Sequence, residues 1–228
     1  MKSRTPDASR LIGPAAVLFD LDGTVVDTIP HILASFRHAT ADVLGEALPD
    51  DELMHHVGVP LARQMRYFTD DEETAERLLA SYREFNRRTH DEMARLYPNT
   101  RSALEAIAGA GLPMGIVTSK SRMMAQRAID LFDLGGYFPV LVSADDTTTH
   151  KPDPEPVRLG ASLLGVDPAR SVYVGDSPAD IESGNGAGAG TIAATWGVAS
   201  KERLVAASPD AIIDDIAELP ALLGISTS

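Results

Sequence analysis

The chain of 228 residues has no cysteine. Disulfides and thiolate metal sites are excluded, and the composition fits a reducing, cytoplasmic setting. Lysine is scarce: Lys2, Lys120, Lys151 and Lys201 make up the whole set, and arginine supplies the rest of the positive charge. A long apolar run is also missing. The longest uncharged stretch, residues 183–200, is mostly Gly, Ala, Thr and Asn, too polar to span a bilayer, and the opening MKSRTPDASR has no apolar segment of the secretory kind. Positive charge as a whole is outweighed, with 20 Lys and Arg against 33 Asp and Glu and a net charge of -13. That balance argues against nucleic acid or an anionic membrane as a partner.

What the chain does have is a set of short apolar runs, each ending in a polar cluster. Residues 15–28 read AAVLFDLDGTVVDT. The first five form a buried parallel strand by pattern, so Asp20 and Asp22 fall at its carboxyl end, where open α/β sheets place ligands. Gly23 allows a sharp turn there. Two carboxylates about 4 Å apart repel by roughly 4 kcal/mol at an effective dielectric of about 20, so a cation or a shared proton is needed to keep them together. Taken alone, Asp-Gly-Thr reads equally well as a turn.

Three further clusters follow. LPMGIVT, residues 112–118, runs into Ser119 and Lys120, either a hydroxyl pair at a strand tip or the cap of the next helix. TTTHKPDPEP, residues 147–156, carries Lys151 in a proline-rich loop, where a solvated lysine is the ordinary alternative. SVYVG, residues 171–175, leads into Asp176, Ser177, Pro178 and, one helical turn on, Asp180. Both carboxylates can face one place, or they complement a helix N-terminus.

In this order, the four clusters resemble the motifs of the haloacid dehalogenase superfamily of phosphohydrolases. The resemblance runs from about residue 15 to the mid-220s and implies a doubly wound, Rossmann-like α/β core. The residues agree: strands are expected at 15–19, 114–118, 140–143, 172–175 and 191–195, and helices at 101–109, 122–132, 155–164 and 178–185. Gly184 and Gly186 each cost about 1 kcal/mol against alanine in a helix interior, which leaves room for an early helix end and a looser Asp180. The interval from residue 28 to 98 has helical periodicity, best at 29–44, 50–57 and 74–96. It resembles the family's small α-helical cap, giving a core of residues 1–27 and 99–228 around a cap of 28–98.

The resemblance implies roles residue by residue. Asp20 would be the nucleophile forming an aspartyl phosphate, and Asp22 the general acid and base. Mg2+ would be held by Asp20, the Asp22 backbone carbonyl and Asp176, with Asp180 acting through water or behind the ligands. Thr118, Ser119 and Lys151 would bind the phosphoryl group. A phosphorylated substrate is itself an anion, so these groups must reverse the protein's field locally. Asp22 disfavours dehalogenation, which needs no proton donor. The absence of lysine from residues 28–100 removes the cap lysines of phosphonoacetaldehyde hydrolases and sugar phosphomutases. Gly58-Val59-Pro60-Leu61 resembles the cap loop of phosphoglycolate phosphatases and their pyrophosphatase relatives, and residues 82–93 lean to the latter. Gly58, Arg63 and Arg83 are the expected specificity residues. His55 and His56, adjacent in sequence, make a poor metal pair. The expected substrate is a small phosphorylated metabolite, phosphoglycolate first. Alternatives are inorganic pyrophosphate, a 5'-nucleotide or a sugar phosphate, then a phosphomutase or a catalytically silent binding protein.

Overall fold

The computed structural model describes residues 5–55 and 57–225; His56 lies outside them. The chain lays down β1 (Ala16–Phe19) and a short β2 (Val26–Asp27), then four helices: α1 (Ile29–Leu44), α2 (Asp50–Met54), α3 (Leu61–Met65) and α4 (Glu72–Met93). It returns through β3 (Arg95–Leu96) and continues as α5 (Thr100–Gly109), β4 (Met114–Val117), α6 (Arg122–Leu131), β5 (Val140–Val142) and α7 (Glu155–Leu163). The remaining elements are β6 (Ser171–Gly175), α8 (Pro178–Ala187), β7 (Gly190–Ala194), α9 (Lys201–Ala206), β8 (Ala211–Ile213) and α10 (Leu219–Leu222). Six strands form one parallel sheet in the order β5-β4-β1-β6-β7-β8. No helix among the described residues is long and apolar enough to cross a membrane.

The first strand of the chain thus lies inside the sheet. Alternation sends Val17 and Phe19 into a core shared with Leu104, Ile107, Ile116 and Val174, and Leu18 into a second core with Val117, Val157 and Tyr173. Both faces are covered, so these strands read as unbroken apolar runs. Phe19 pairs with Ile116 on one side and Val174 on the other, and this register sets the three strand tips side by side.

The helical insertion is built on its own apolar cluster, which includes Phe36, Leu53, Met65, Leu78 and Tyr82; the Phe36 and Tyr82 rings lie 4.8 Å apart. Proline in the first turn of α1 and a left-handed Gly45 at its end set the helix limits. The Asp71 side chain caps α4 by accepting from the Thr74 amide at 2.8 Å. Two expectations need correction here. The second cap helix stops at Met54, because Val57 and Val59 form an isolated bridge. The long helix stops at Met93, and Arg95–Leu96 pairs antiparallel with Val26–Asp27. The chain therefore re-enters the core before Pro98.

The glycines of α8 do not shorten it: the helix runs to Ala187 and ends on a left-handed Gly188. Gly184 is there for space. A Cβ at Gly184 would lie 2.6 Å from Thr191 Cγ2 on β7, so the helix approaches the sheet more closely than alanine allows. Gly184→Ala would gain about 1 kcal/mol of helix propensity and lose roughly 1–3 kcal/mol to overpacking. A melting temperature lowered by a few degrees is expected. At Gly186, where the nearest atom is Pro154 Cβ at 3.3 Å, alanine is expected to be milder. A Gly184→Ala protein melting at or above wild type would mean that the helix sits loosely on the sheet.

Candidate active site

The site forms where β1, β4 and β6 end. The Asp20 amide donates to Val174 O at 2.9 Å and the Thr118 amide to Val142 O at 2.8 Å, so both residues extend the ladder by one step. Beyond Asp20 the chain folds back tightly, with the Val26 amide donating to Leu21 O at 2.9 Å. Gly23 sits in this turn at φ +82, and a Cβ on it would fall 2.3 Å from Asp176 Oδ2. A Cβ on Gly197 would fall 2.2 Å from the same oxygen. Two bare backbones thus close over Asp176, whose carboxylate accepts from Thr24 Oγ1 at 3.1 Å and the Val198 amide at 2.7 Å.

Asp20, Asp176 and Asp180 are buried with one ligand atom of each within 4.8 Å of the others. Lys151 stands among them, its side chain 2 % exposed, with Nζ 2.5 Å from Asp180 Oδ1 and 3.0 Å from Asp20 Oδ1. The solvated-lysine alternative is thereby removed. Burial alone would discharge this ammonium, but Asp180 and Asp20 outweigh it and hold the lysine charged beyond its usual range. Burial pushes Asp20 up to about 6, with Lys151 pulling it down and Asp180 adding repulsion. Burial, then the Asp180 and Asp20 charges, push Asp176 well above the usual carboxylate range. One ammonium for three buried carboxylates leaves the cluster short of positive charge. Asp20 Oδ1 has no hydrogen-bond partner, since Lys151 is near but not aligned. One unpartnered oxygen, Asp20 Oδ1, within a buried, oxygen-only acceptor set fits a hard divalent cation.

Asp180 is the most heavily hydrogen-bonded of the three carboxylates. Its Oδ1 accepts from Lys151 and from Tyr173 Oη at 3.0 Å, and its Oδ2 from the Ser177 amide and hydroxyl at 3.0 and 2.6 Å. Both oxygens are committed, one of them to the capping box that opens α8. The helix-capping alternative therefore describes Asp180 and not Asp176.

Asp22 faces the other side of the site. Its Oδ1 accepts from Thr28 Oγ1 at 2.6 Å and Lys120 Nζ at 2.7 Å, and its Oδ2 from the same ammonium at 2.9 Å. Burial pushes this carboxyl up, but the Lys120 charge and hydrogen bond and the Thr28 hydroxyl together hold it below its ordinary value. Thr118 is buried, and its oxygen accepts from the Lys120 amide at 3.2 Å. Ser119, expected on the phosphate, lines the cavity, and its hydroxyl donates to the Gly58 carbonyl at 2.9 Å, tying the cap loop to the core.

A cavity of about 620 Å³ joins these groups to the cap. Asp20, Asp22, Thr118, Ser119 and Asp176 line its core side, and Gly58 and Arg83 its cap side. Arg63 is not among the lining residues. On the short α3 the inward positions are Gln64 and Met65, and Arg63 points to solvent. The spacing of four residues that places Arg83 on the cavity also places Arg87 there, one helical turn on. Neither Arg87 nor Lys120 is assigned a role by the sequence. For Arg87 the signal is its i, i+4 relation to Arg83, and for Lys120 it is the rarity of lysine.

A family model described as haloacid dehalogenase-like hydrolase matches residues 17–194. A putative pyrophosphatase PpaX of Caldanaerobacter subterraneus is 37% identical over 204 residues, covering 90% of this chain and 92% of that protein. The pyrophosphatase PpaX of Bacillus velezensis is 33% identical over 210 residues, covering 92% and 96%. Among solved structures, a predicted phosphoglycolate phosphatase from Haemophilus somnus superposes with a TM-score of 0.86 at 24% identity, covering 92% of this chain and 98% of that one. That likeness is one of fold. Since the match takes in the strand tips and the helical insertion alike, the chain belongs to the haloacid dehalogenase-like hydrolases and is a hydrolase of phosphate compounds.

Proposed function

We propose that this chain is a magnesium-dependent phosphohydrolase that works through an aspartyl phosphate on Asp20, with inorganic pyrophosphate as its principal substrate. The observation that carries the reading is the single cavity with Asp20 at its floor and Arg83 and Arg87 at its roof. A substrate with an anionic group at each end meets a nucleophile at one and guanidinium groups at the other. The names of the relatives at 33–37% identity support pyrophosphate over phosphoglycolate.

Asp20, Asp176 and the Asp22 carbonyl would hold the cation, which when bound neutralises the Asp20–Asp176 pair and the phosphoryl oxygens facing it. Asp20 forms a bond to phosphorus as the bridging P–O bond breaks, and the leaving phosphate takes its proton from Asp22, which the negative charge of the bound substrate brings to the protonated form against the pull of Lys120. Asp22, now a carboxylate, removes a proton from water. That water oxygen attacks phosphorus, the bond to Asp20 breaks, and the aspartate is restored. Lys151, with its ammonium 3.0 Å from Asp20 Oδ1, offers positive charge to the transferred group beside the nucleophile. Thr118 accepts from the Lys120 amide, and its own proton enters no hydrogen bond among the described residues, which leaves it for a phosphoryl oxygen.

Phosphate release from pyrophosphate, phosphoglycolate, nucleotides and sugar phosphates tests the reading. Pyrophosphate is expected to give the highest kcat/KM. Arg83→Ala with Arg87→Ala is expected to raise its KM by about tenfold more than that for p-nitrophenyl phosphate, in line with roughly 1.5 kcal/mol for a charge-assisted contact. Phosphoglycolate ranking first would replace the substrate. An unchanged ranking in the double variant would move recognition away from these arginines.

A further inference from the structure

We propose that Lys120 is a positioning residue for Asp22, fixing the direction in which that carboxyl delivers its proton; the proposal rests on the reading of Asp22 as the acid of the first step. Asp22 stands on the loop after β1 and is held from two directions. Thr28, fully buried at the start of α1, grips Oδ1 from the root of the cap at 2.6 Å. Lys120, just past the tip of β4, reaches it from the core, with Nζ at 2.7 Å from Oδ1 and 2.9 Å from Oδ2. Two donors thus converge on Oδ1, leaving Oδ2 with one longer contact.

The lysine is itself anchored. Its amide donates to Thr118 Oγ1 at 3.2 Å and its carbonyl accepts from the Ala144 amide at 3.0 Å. Its side chain is 10 % exposed and that of Asp22 17 %. An exposed ion pair swings freely and contributes little. This one is enclosed, and a lysine, which loses more side-chain freedom than most residues on being fixed, is fixed here against one carboxylate.

The step is balanced. As the Asp20–phosphorus bond forms and the bond to the leaving oxygen breaks, that oxygen keeps the electron pair and takes the proton from Asp22. The ammonium then faces the carboxylate left behind, until water returns a proton in the second step. Misdirecting Asp22 should therefore matter most for leaving groups that need a proton most. A loss of general shape would slow every substrate alike.

The test compares Lys120→Met, Lys120→Arg and Asp22→Asn with wild type on a series of aryl phosphates, from p-nitrophenyl phosphate to phenyl phosphate, with folding followed by circular dichroism. Lys120→Met is expected to lose about tenfold in kcat on p-nitrophenyl phosphate and about a hundredfold on phenyl phosphate, with KM within about threefold. Lys120→Arg should recover part of the loss. If Asp22→Asn does not steepen the dependence on leaving-group basicity, the acid role of Asp22 fails and the proposal falls with it. If Asp22→Asn steepens it but Lys120→Met slows all esters equally, or raises KM with kcat intact, Asp22 stands and Lys120 is not its positioner. Should Lys120→Met not fold, Lys120→Gln gives the same readout, with Lys120→Arg still the partial rescue.

Discussion

Asp20→Asn is expected to fold and to release phosphate at least roughly a thousandfold more slowly than wild type. Asparagine keeps the shape of the side chain, so β1 and its neighbours are undisturbed, but an amide oxygen does not form the covalent bond to phosphorus. The same change should stabilise the metal-free protein. Burial and the neighbouring Asp180 push Asp20 up to about 6 against an ordinary value near 3.8. The folded state therefore binds more protons than the unfolded state between those two values, and stability attributable to Asp20 falls as pH rises through that window. The melting temperature of Asp20→Asn relative to wild type, both without metal, should accordingly increase from about pH 4 to pH 6. Near-normal phosphate release from the folded variant would remove Asp20 as nucleophile.

Exhaustive chelation should abolish turnover, and magnesium should restore it. The cluster of Asp20, Asp176 and Asp180 offers oxygen donors with no sulfur or imidazole, the donor chemistry of a hard cation. Because the repulsion among these groups is present only in the folded state, the cation should also raise the melting temperature. At a hundred times its dissociation constant it contributes about 2.7 kcal/mol, which for a chain of this size is about 5–10 °C. Full activity after EDTA treatment would exclude the mechanism. An unchanged melting temperature at saturating magnesium would break the link between the carboxylates and the metal.

Much of the core is legible because its strands are buried on both faces, as at Ala16–Phe19 and Ser171–Gly175. Residue type and strand position then coincide, and Asp20, Thr118 and Asp176 can be placed at strand tips from pattern alone. What escapes the pattern depends on distant partners. Arg95–Leu96 continues a helical rhythm and becomes a strand only because Val26–Asp27 lies beside it. Ala211–Ile213, three residues long, carries too little signal to separate from a turn. Gly184 looks like a helix breaker until Thr191 is seen against it. Tyr173 reads as an apolar strand residue, yet its hydroxyl accepts from Lys151 and has its one proton within reach of both Val117 O and Asp180 Oδ1. Ser119 reads as a phosphate ligand, and the pattern says nothing of its hydroxyl's bond to the Gly58 carbonyl. Arg63 lies on the exposed side of α3, and five residues of helix are too few for periodicity to say which side faces in.

The position of β1 within the sheet also bears on how the protein is made. Phe19 pairs with Ile116 on one side and Val174 on the other, so the strand that carries Asp20 waits for the chain through β4 for its first neighbour and through β6 for its second. The four helices that follow it close on one another through nearby residues and can fold while synthesis continues. Lys151 and Asp176 are made only after the cap helices and β4. A chain cut short before Lys151 would therefore carry the cap helices and Asp20 without the buried ammonium and the second carboxylate that surround Asp20 in the folded protein.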